Sequence, residues 1–388
     1  MHRKASYKTP PTVLDGVPQH ARRVAALAAQ QRAREQRQNA HRTNIDAFAS
    51  LSLGHDDDDA DDDDDNAQSG PQIDKKEGVA KYVRDVQPGP PTKTKQPSRW
   101  ANICMYAELL EMNHPLLPFL AHGRTSHTLP ATRSTMDDAM DMAAMNDVAD
   151  GIPPDLQEGW IAVAPLPAGK RCLAVTTNAN GIGGVMSKLS LKSRLKGHTL
   201  LNFPSTLPPD TILDCILDAH WQANGILHIL DVIRWRGREF DDCSADMRFW
   251  WRDVRLAEIG QASPTWSFTP TAGFQFPVKY LPVPYVDQPS YATLLSTIVP
   301  MCRAQRIVQV EVPTTGDEDS MDVDQAVLKA IDVPLNADGI LLYVRESYYE
   351  SGTSPLCVWI PSRPLDESAG MPNPLDVFEQ LIRKRASA

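Results

Sequence analysis

The stretch TILDCILDAHWQANGILHILDVIRW, residues 211–235, decides the fold class. Its two runs, Ile212–Leu217 and Ile226–Ile233, are apolar, rich in Ile and Leu, and of strand length. Asn224-Gly225 lies between them, a dipeptide that takes positive φ readily and predicts a tight hairpin. A second stretch, DGILLYVRESYYESGTSPLCVW at 338–359, repeats the arrangement: a strand, a loop with Gly352, and a strand ending at Trp359. The two stretches predict two halves of one sheet. WIAVAPL (160–166), CLAVTT (172–177) and MRFWW (247–251) read as further strands. WANICMYAELLEM (100–112), 290–304 and 373–385 read as helices. The expected class is α+β, with twisted antiparallel sheets behind a disordered or helical N-terminal arm.

Charge divides the chain further. The net charge is −10, but it is sorted into blocks. Residues 1–50 carry nine Lys and Arg against three acidic residues, and residues 56–65 are nine Asp and one Ala. Such blocks mark interaction arms rather than a core. The arm contains ARRVAALAAQQRAREQRQNAHR at 21–42, made of good helix formers. Its apolar face is thin (Val24, Leu27, Ala28), so composition predicts a solvated helix, and its arginines suit an acidic partner. The Asp run predicts an extended spacer that could also shield the basic arm. The expected division is an arm at 1–45, an acidic linker at 46–97, a folded domain at 98–365 and a C-terminal helix or tail at 366–388. Residues 121–148 and 314–324 read as loops.

Composition excludes several classes. Six Cys are scattered without CxxC or a His/Cys cluster at metal spacing, so a reduced compartment and no metal or other cofactor are expected. No apolar run approaches 18 residues and the N-terminus lacks a signal-peptide core, which argues against a membrane or secreted role. GIGG at 181–184 is a turn rather than a phosphate loop, because no Lys-Ser/Thr helix start follows in register. Gly169-Lys170-Arg171 enters a strand, Lys188 follows a turn, and Trp359 closes the last strand. Cations beside an available indole suit a nucleotide, with phosphates on Lys and Arg and a base on Trp.

These residues resemble the snurportin family of nuclear import adaptors, in a fungal-type version. The resemblance rests on WIAVAPLPAGKRCLAV, TILDCILD, GILHILDVIRWRG, FDDC, RFWWRD, and DGILLY followed by GTSPLCVW, in order over roughly 155–255 and 335–362. RKASYK followed by QHARR resembles the family's importin-β-binding arm, which would place Arg3, Lys4, Lys8, Arg22, Arg23, Arg32, Arg34 and Arg37 on importin-β. The resemblance implies a body related to the nucleotidyltransferase domain of mRNA capping enzymes. In those enzymes a KxDGxR motif supplies the reacting lysine. Here Leu166 stands at the nucleophile position and Ala168 at the Asp position, and Cys215 replaces the Gly of a DGE motif. Without an amine at 166 no covalent nucleotidyl-lysine can form there.

The implied ligand is the 2,2,7-trimethylguanosine cap of small nuclear RNAs, carried as U snRNPs. N7-methylation makes the base cationic and favours stacking on an indole. By motif match Trp359 stacks the cap, while Arg171, Lys170 and Lys188 face the phosphates. A second cap-contacting Trp of the family falls at Val148 here, and of a leucine-rich export segment only Val13, Leu14 and Val17 are available. The implied function is a shuttling adaptor of nucleus and cytoplasm, with importin-β and an exportin as partners and no catalysis. The competing readings are an active guanylyltransferase and a general RNA-binding scaffold.

Overall fold

The computed structural model describes residues 17–52, 98–112, 150–178, 187–259, 268–269, 273–313, 328–364 and 372–388. The Asp run, GIGG, residues 121–148 and the acidic stretch 314–324 lie outside them, as do Arg3, Lys4, Lys8, Val13, Leu14 and Val148. The class is α+β with mostly antiparallel sheets.

Two sheets make the body. The first contains β1 (Met105–Leu109), β2 (Trp160–Pro167), β12 (Tyr285–Asp287), β15 (Ala337–Val344) and β16 (Gly352–Pro361), in the order β1-β16-β15-β2-β12. The second runs β11-β7-β6-β3-β4-β5, built from β3 (Gly169–Thr177), β4 (Ser187–Ser193), β5 (Thr199–Ser205), β6 (Ile212–Asp218), β7 (Ile226–Trp235) and β11 (Lys279–Pro282). The short β8 (Arg238–Glu239) also pairs with β7. Two small ribbons complete the strands among the described residues: β9 (Phe268–Thr269) with β10 (Gly273–Phe274), and β13 (Arg306–Pro313) with β14 (Leu328–Leu335). The helices among the described residues are α1 (Gln19–Ser52), α2 (Trp221–Asn224), α3 (Ala245–Glu258), α4 (residues 291–303, with a π-helical segment at Leu294–Ile298) and α5 (Pro374–Ala386).

The apolar runs at 211–235 fold as antiparallel neighbours β6 and β7. They are continuous rather than alternating because the second sheet is covered on both faces. Ile212 and Ile216 join one core together with Val163, Leu341 and Trp359 of the first sheet. Leu213, Cys215 and Leu217 join another core, with Phe203, Leu227 and Leu256. The stretch 338–359 folds as the antiparallel pair β15 and β16, but it belongs to the first sheet. The two stretches therefore sit in two sheets, not in two halves of one.

Three local expectations give way to tertiary context. Asn224-Gly225 does not form a two-residue turn. Asn224 ends α2, and Gly225 caps it at φ 65°, the left-handed conformation glycine takes without steric cost. Asp218 accepts from the Asn224 side chain at 2.8 Å and lies 2.9 Å from His228 Nε2, which closes this longer connection. MRFWW is part of α3 rather than a strand. The helix buries Ala245, Arg248, Phe249, Arg252 and Leu256, at spacings of three and four, and leaves Trp250 51% exposed. WANICMYAELLEM contains β1, whose parallel partner β16 lies far away in sequence. The helices expected at 290–304 and 373–385 are present as α4 and α5. α5 sets Leu375, Val377, Phe378, Leu381 and Ile382 into the first core.

Five of the six cysteines are buried and all are free. Burial pushes the Cys172, Cys302 and Cys357 thiols up to about 12, which suits small hydrophobic residues rather than reactive ones. No described helix is long and apolar enough to cross a membrane.

Arg248 ties α3 to the body. Its Nε lies 3.0 Å from Asp231 on β7, and its Nη1 donates to the Cys243 and Ser347 carbonyls at 2.7 and 2.9 Å. Both members of the ion pair are fully buried. Arg248→Met therefore leaves Asp231 buried and unpaired, and chemical denaturation is expected to show a loss of roughly 3–5 kcal/mol.

Candidate nucleotide-binding cleft

A cleft of about 610 Å³ opens where the ends of the two sheets meet. The first sheet contributes Met105, Tyr106 and Ala107 of β1, Leu166 of β2, Leu341 of β15 and Trp359 of β16. The second contributes Gly169, Lys170 and Arg171 of β3, Ile216 of β6 and the β4–β5 turn from Ser193 to His198. Its size and its mix of an apolar wall with a few convergent polar groups are those of a small-ligand site.

The strand register explains why these residues meet. β2 passes directly into β3, so Leu166 and Lys170 bridge the two sheets. β3 can lie against β6 here because residue 169 is glycine; a Cβ would stand 2.3 Å from the Leu217 carbonyl oxygen. Leu341 and Trp359 are Cα partners, and Leu109 of β1 pairs with Trp359 from the other side. Trp359 is 8% exposed, and that remaining surface faces the cleft. The β4–β5 turn, which lines the same cleft, is shaped by Gly197 at φ 63°. Arg194 stacks on the Tyr106 ring at 4.6 Å, and its carbonyl accepts from the Tyr106 hydroxyl at 3.0 Å. Lys170, Lys196 and His198 are exposed at the rim.

A buried charge network lies beneath the cleft. Arg171 donates through Nε and Nη2 to the two oxygens of Asp214, at 2.6 and 2.7 Å, and through Nη2 to the Met105 carbonyl at 3.1 Å. Tyr349 donates its hydroxyl to Asp214 at 2.6 Å and accepts from the Met105 amide at 2.9 Å. Burial works against the Arg171 charge, but the Asp214 carboxylate outweighs it and holds the guanidinium well above its ordinary pKa. Burial and the Asp214 charge together push the Tyr349 hydroxyl up, so it stays a donor. Arg171 thus commits three hydrogen bonds to the protein itself.

Of the residues expected from sequence, Trp359, Arg171 and Lys170 come together in this cleft. Lys188 is not among its lining residues. It pairs with Thr177, six residues along β3 from Arg171, a separation of roughly 20 Å at about 3.3 Å per residue. Lys196 and Arg194 are the cations that the β4–β5 turn brings to the rim, and sequence reading passed over both. The apolar wall comes from β1 and Leu341. Of the arm residues, Arg22, Arg23 and Arg34 contact the body; Arg32 and Arg37 lie further along α1. Among the described residues no group of His, Cys, Asp and Glu could hold a metal ion.

Tyr349→Phe removes the bond to buried Asp214 and the bond from the Met105 amide, and should cost at least about 1.5–3 kcal/mol of unfolding free energy, the usual worth of a bond to a charged group. A denaturation midpoint unchanged from the parent would show that Asp214 does not depend on it.

The match to known families falls on this cleft. Residues 144–281 match the family model described as Snurportin1, m3G cap-binding domain. The matched stretch carries the Leu166–Arg171 segment, the β4–β5 turn and Ile216; β1, β15 and β16 complete the cleft from outside it. This match over the m3G cap-binding domain supports assigning the chain to the snurportin family.

Proposed function

We propose that this protein is a non-enzymatic nuclear import adaptor that carries U snRNPs by the 2,2,7-trimethylguanosine cap of their RNA. The observation that carries the reading is the sharing of one cleft by an indole and a set of rim cations, Trp359 with Lys170, Arg194 and Lys196. The N7-methylated base is cationic and stacks on Trp359. Its dimethylated N2 meets the apolar wall at β1 and Leu341, where no carboxylate is required. The triphosphate lies along the rim, where Lys170, Lys196 and Arg194 supply charge-assisted hydrogen bonds. Arg171 sets the shape of the cleft floor through Asp214.

In this reading the body, 98–365, is a capping-enzyme type of fold that has kept its pocket and lost its chemistry. Leu166 stands where such an enzyme has its reacting lysine, and here it is buried in the cleft wall. The arm at 1–45 engages importin-β, 46–97 is the linker, and 366–388 closes the domain. The adaptor shuttles between cytoplasm and nucleus, with an exportin returning it.

Titration with a trimethylated cap analogue tests the site. Trp359→Ala is expected to lower affinity by about 1–3 kcal/mol, the worth of one base–aromatic stack; affinity equal to the parent's would refute the assignment. Lys170→Gln and Lys196→Gln should each flatten the plot of log affinity against log salt by about 0.7 for every phosphate charge the variant no longer neutralises. Lys188→Gln should leave that slope as it is. Incubation with labelled GTP should leave no adduct on a denaturing gel, and a labelled band would restore the guanylyltransferase reading.

A further inference from the structure

The basic arm already has a partner in this structure, the body itself. α1 turns one face to the body, formed by Gln19, Arg23, Ala26, Leu27, Gln30 and Arg34 at spacings of three and four residues. Gln19, Arg23 and Gln30 are buried, although the face is mostly polar. Val24, the apolar residue that the composition offered first, is 55% exposed.

The contacts fall in three places. At the start of α1, Arg22 Nη2 sits between Glu108 and Glu111 at 2.6 and 2.9 Å. Beside it, the Gln19 side chain donates to Glu108 at 3.0 Å and accepts from the Glu111 amide at 3.2 Å. One turn on, the Arg23 guanidinium covers the Trp160 ring at 4.6 Å, and Trp160 donates its indole N–H to Asp155. Further along, Gln30 exchanges two bonds with the Tyr348 backbone, at 2.9 and 3.3 Å, and Arg34 lies over the Tyr348 ring.

The hold is specific but not deep in free energy. Arg23 is 7% exposed, and its Nε has no partner among the described residues. Burial pulls its pKa down to about 10, against the upward pull of Asp155, Glu108 and Glu111. A desolvated cation without a hydrogen-bonded carboxylate offsets part of what the other contacts contribute. The receptor surface also borders the cleft. Glu108 follows cleft-lining Ala107 on β1, and Tyr348 precedes the Tyr349 that holds Asp214. The Asp run lies outside the described residues; the carboxylates that grip the arm in hydrogen-bond contact are Glu108 and Glu111.

We propose that the surface formed by Glu108, Glu111, Trp160 and Tyr348 is a receptor in cis for the protein's own basic helix, which withholds Arg22, Arg23 and Arg34 from an acidic partner in trans. The same guanidinium groups cannot serve both surfaces, so a trans partner must displace the body, and its apparent affinity falls by the fraction of arm that is free. That importin-β is the trans partner rests on the function proposed above; the cis contact does not.

The test uses the full chain. Hydrogen exchange of the backbone over 19–34 is compared between the parent, the double variant Glu108→Gln/Glu111→Gln, and Arg22→Gln, which leaves every body residue intact. Exchange should quicken at least about tenfold in both variants, the effect of losing even one of the charge-assisted hydrogen bonds between Arg22 and the two glutamates, with exchange of β6 and β7 unchanged. Importin-β should then bind the double variant about tenfold more tightly than the parent. Unchanged exchange over 19–34 would overturn the cis receptor. Quickened exchange with unchanged importin-β affinity would overturn the withholding. If importin-β bound neither protein while exchange quickened, the cis receptor would stand and the import reading would fall.

Discussion

Asp214 is fully buried on the face of β6 that looks toward the other sheet. An ionised carboxylate there is tolerated only if its oxygens are matched. The fold meets that demand from three directions. Arg171 comes from β3 of the same sheet, Tyr349 from the turn between β15 and β16, and both reach Met105 on β1. One buried acid therefore fixes the spacing of the two sheets at the mouth of the cleft. It also fixes β1, an edge strand whose backbone would otherwise be held on one side only, by β16. Directional bonds set this geometry more narrowly than apolar contact does, which suits a cleft proposed to match a flat base and a row of phosphates.

The sequence is most readable where burial is complete. β6 and β7 lie under cover on both faces, so their apolar runs have one reading. The same holds for β15 and β16, and for α5 with its 3.6-residue stripe. Misreadings arise where a local pattern is shared between states. MRFWW is aromatic enough for a strand, but the decisive signal is Arg248 and Arg252, four residues apart and both turned inward. No window of five residues within MRFWW contains that. β1 has helix-like apolar spacing, and only its distant parallel partner makes it a strand. Asn224 and Gly225 do lie in a connection, but Asn224 serves Asp218 through its side chain and so lengthens the turn.

The same contrast separates the parts of the site. Lys170, Arg171 and Trp359 stand in strands whose apolar runs mark them plainly, and they meet in the cleft. Lys188 lies at the start of β4 and Lys196 in the turn that follows its end, and no residue pattern states that this turn shares a cleft with Trp359. The irregularity in β4–β5 pairing at Leu191 and Lys192 hides the register further. β1 is equally hidden, because residues 110–159 separate it in sequence from the strand β2 that shares its sheet.

The arm shows why charge counting alone misses a docked helix. Its contact face is built from Gln and Arg, which a hydropathy reading assigns to solvent. Long side chains of this kind cover apolar surface with their stems while their heads find carboxylates, an aromatic face or a backbone carbonyl. Trp160 is fully buried, with the Arg23 guanidinium over its ring. Such a contact can be exchanged for another with the same chemistry, because hydrogen bonds and ion pairs at a partly wet surface are replaced nearly one for one. An apolar docking face of equal area would have no comparable substitute in an acidic partner. A polar stripe is therefore the composition expected of a helix that must be held and also be given up.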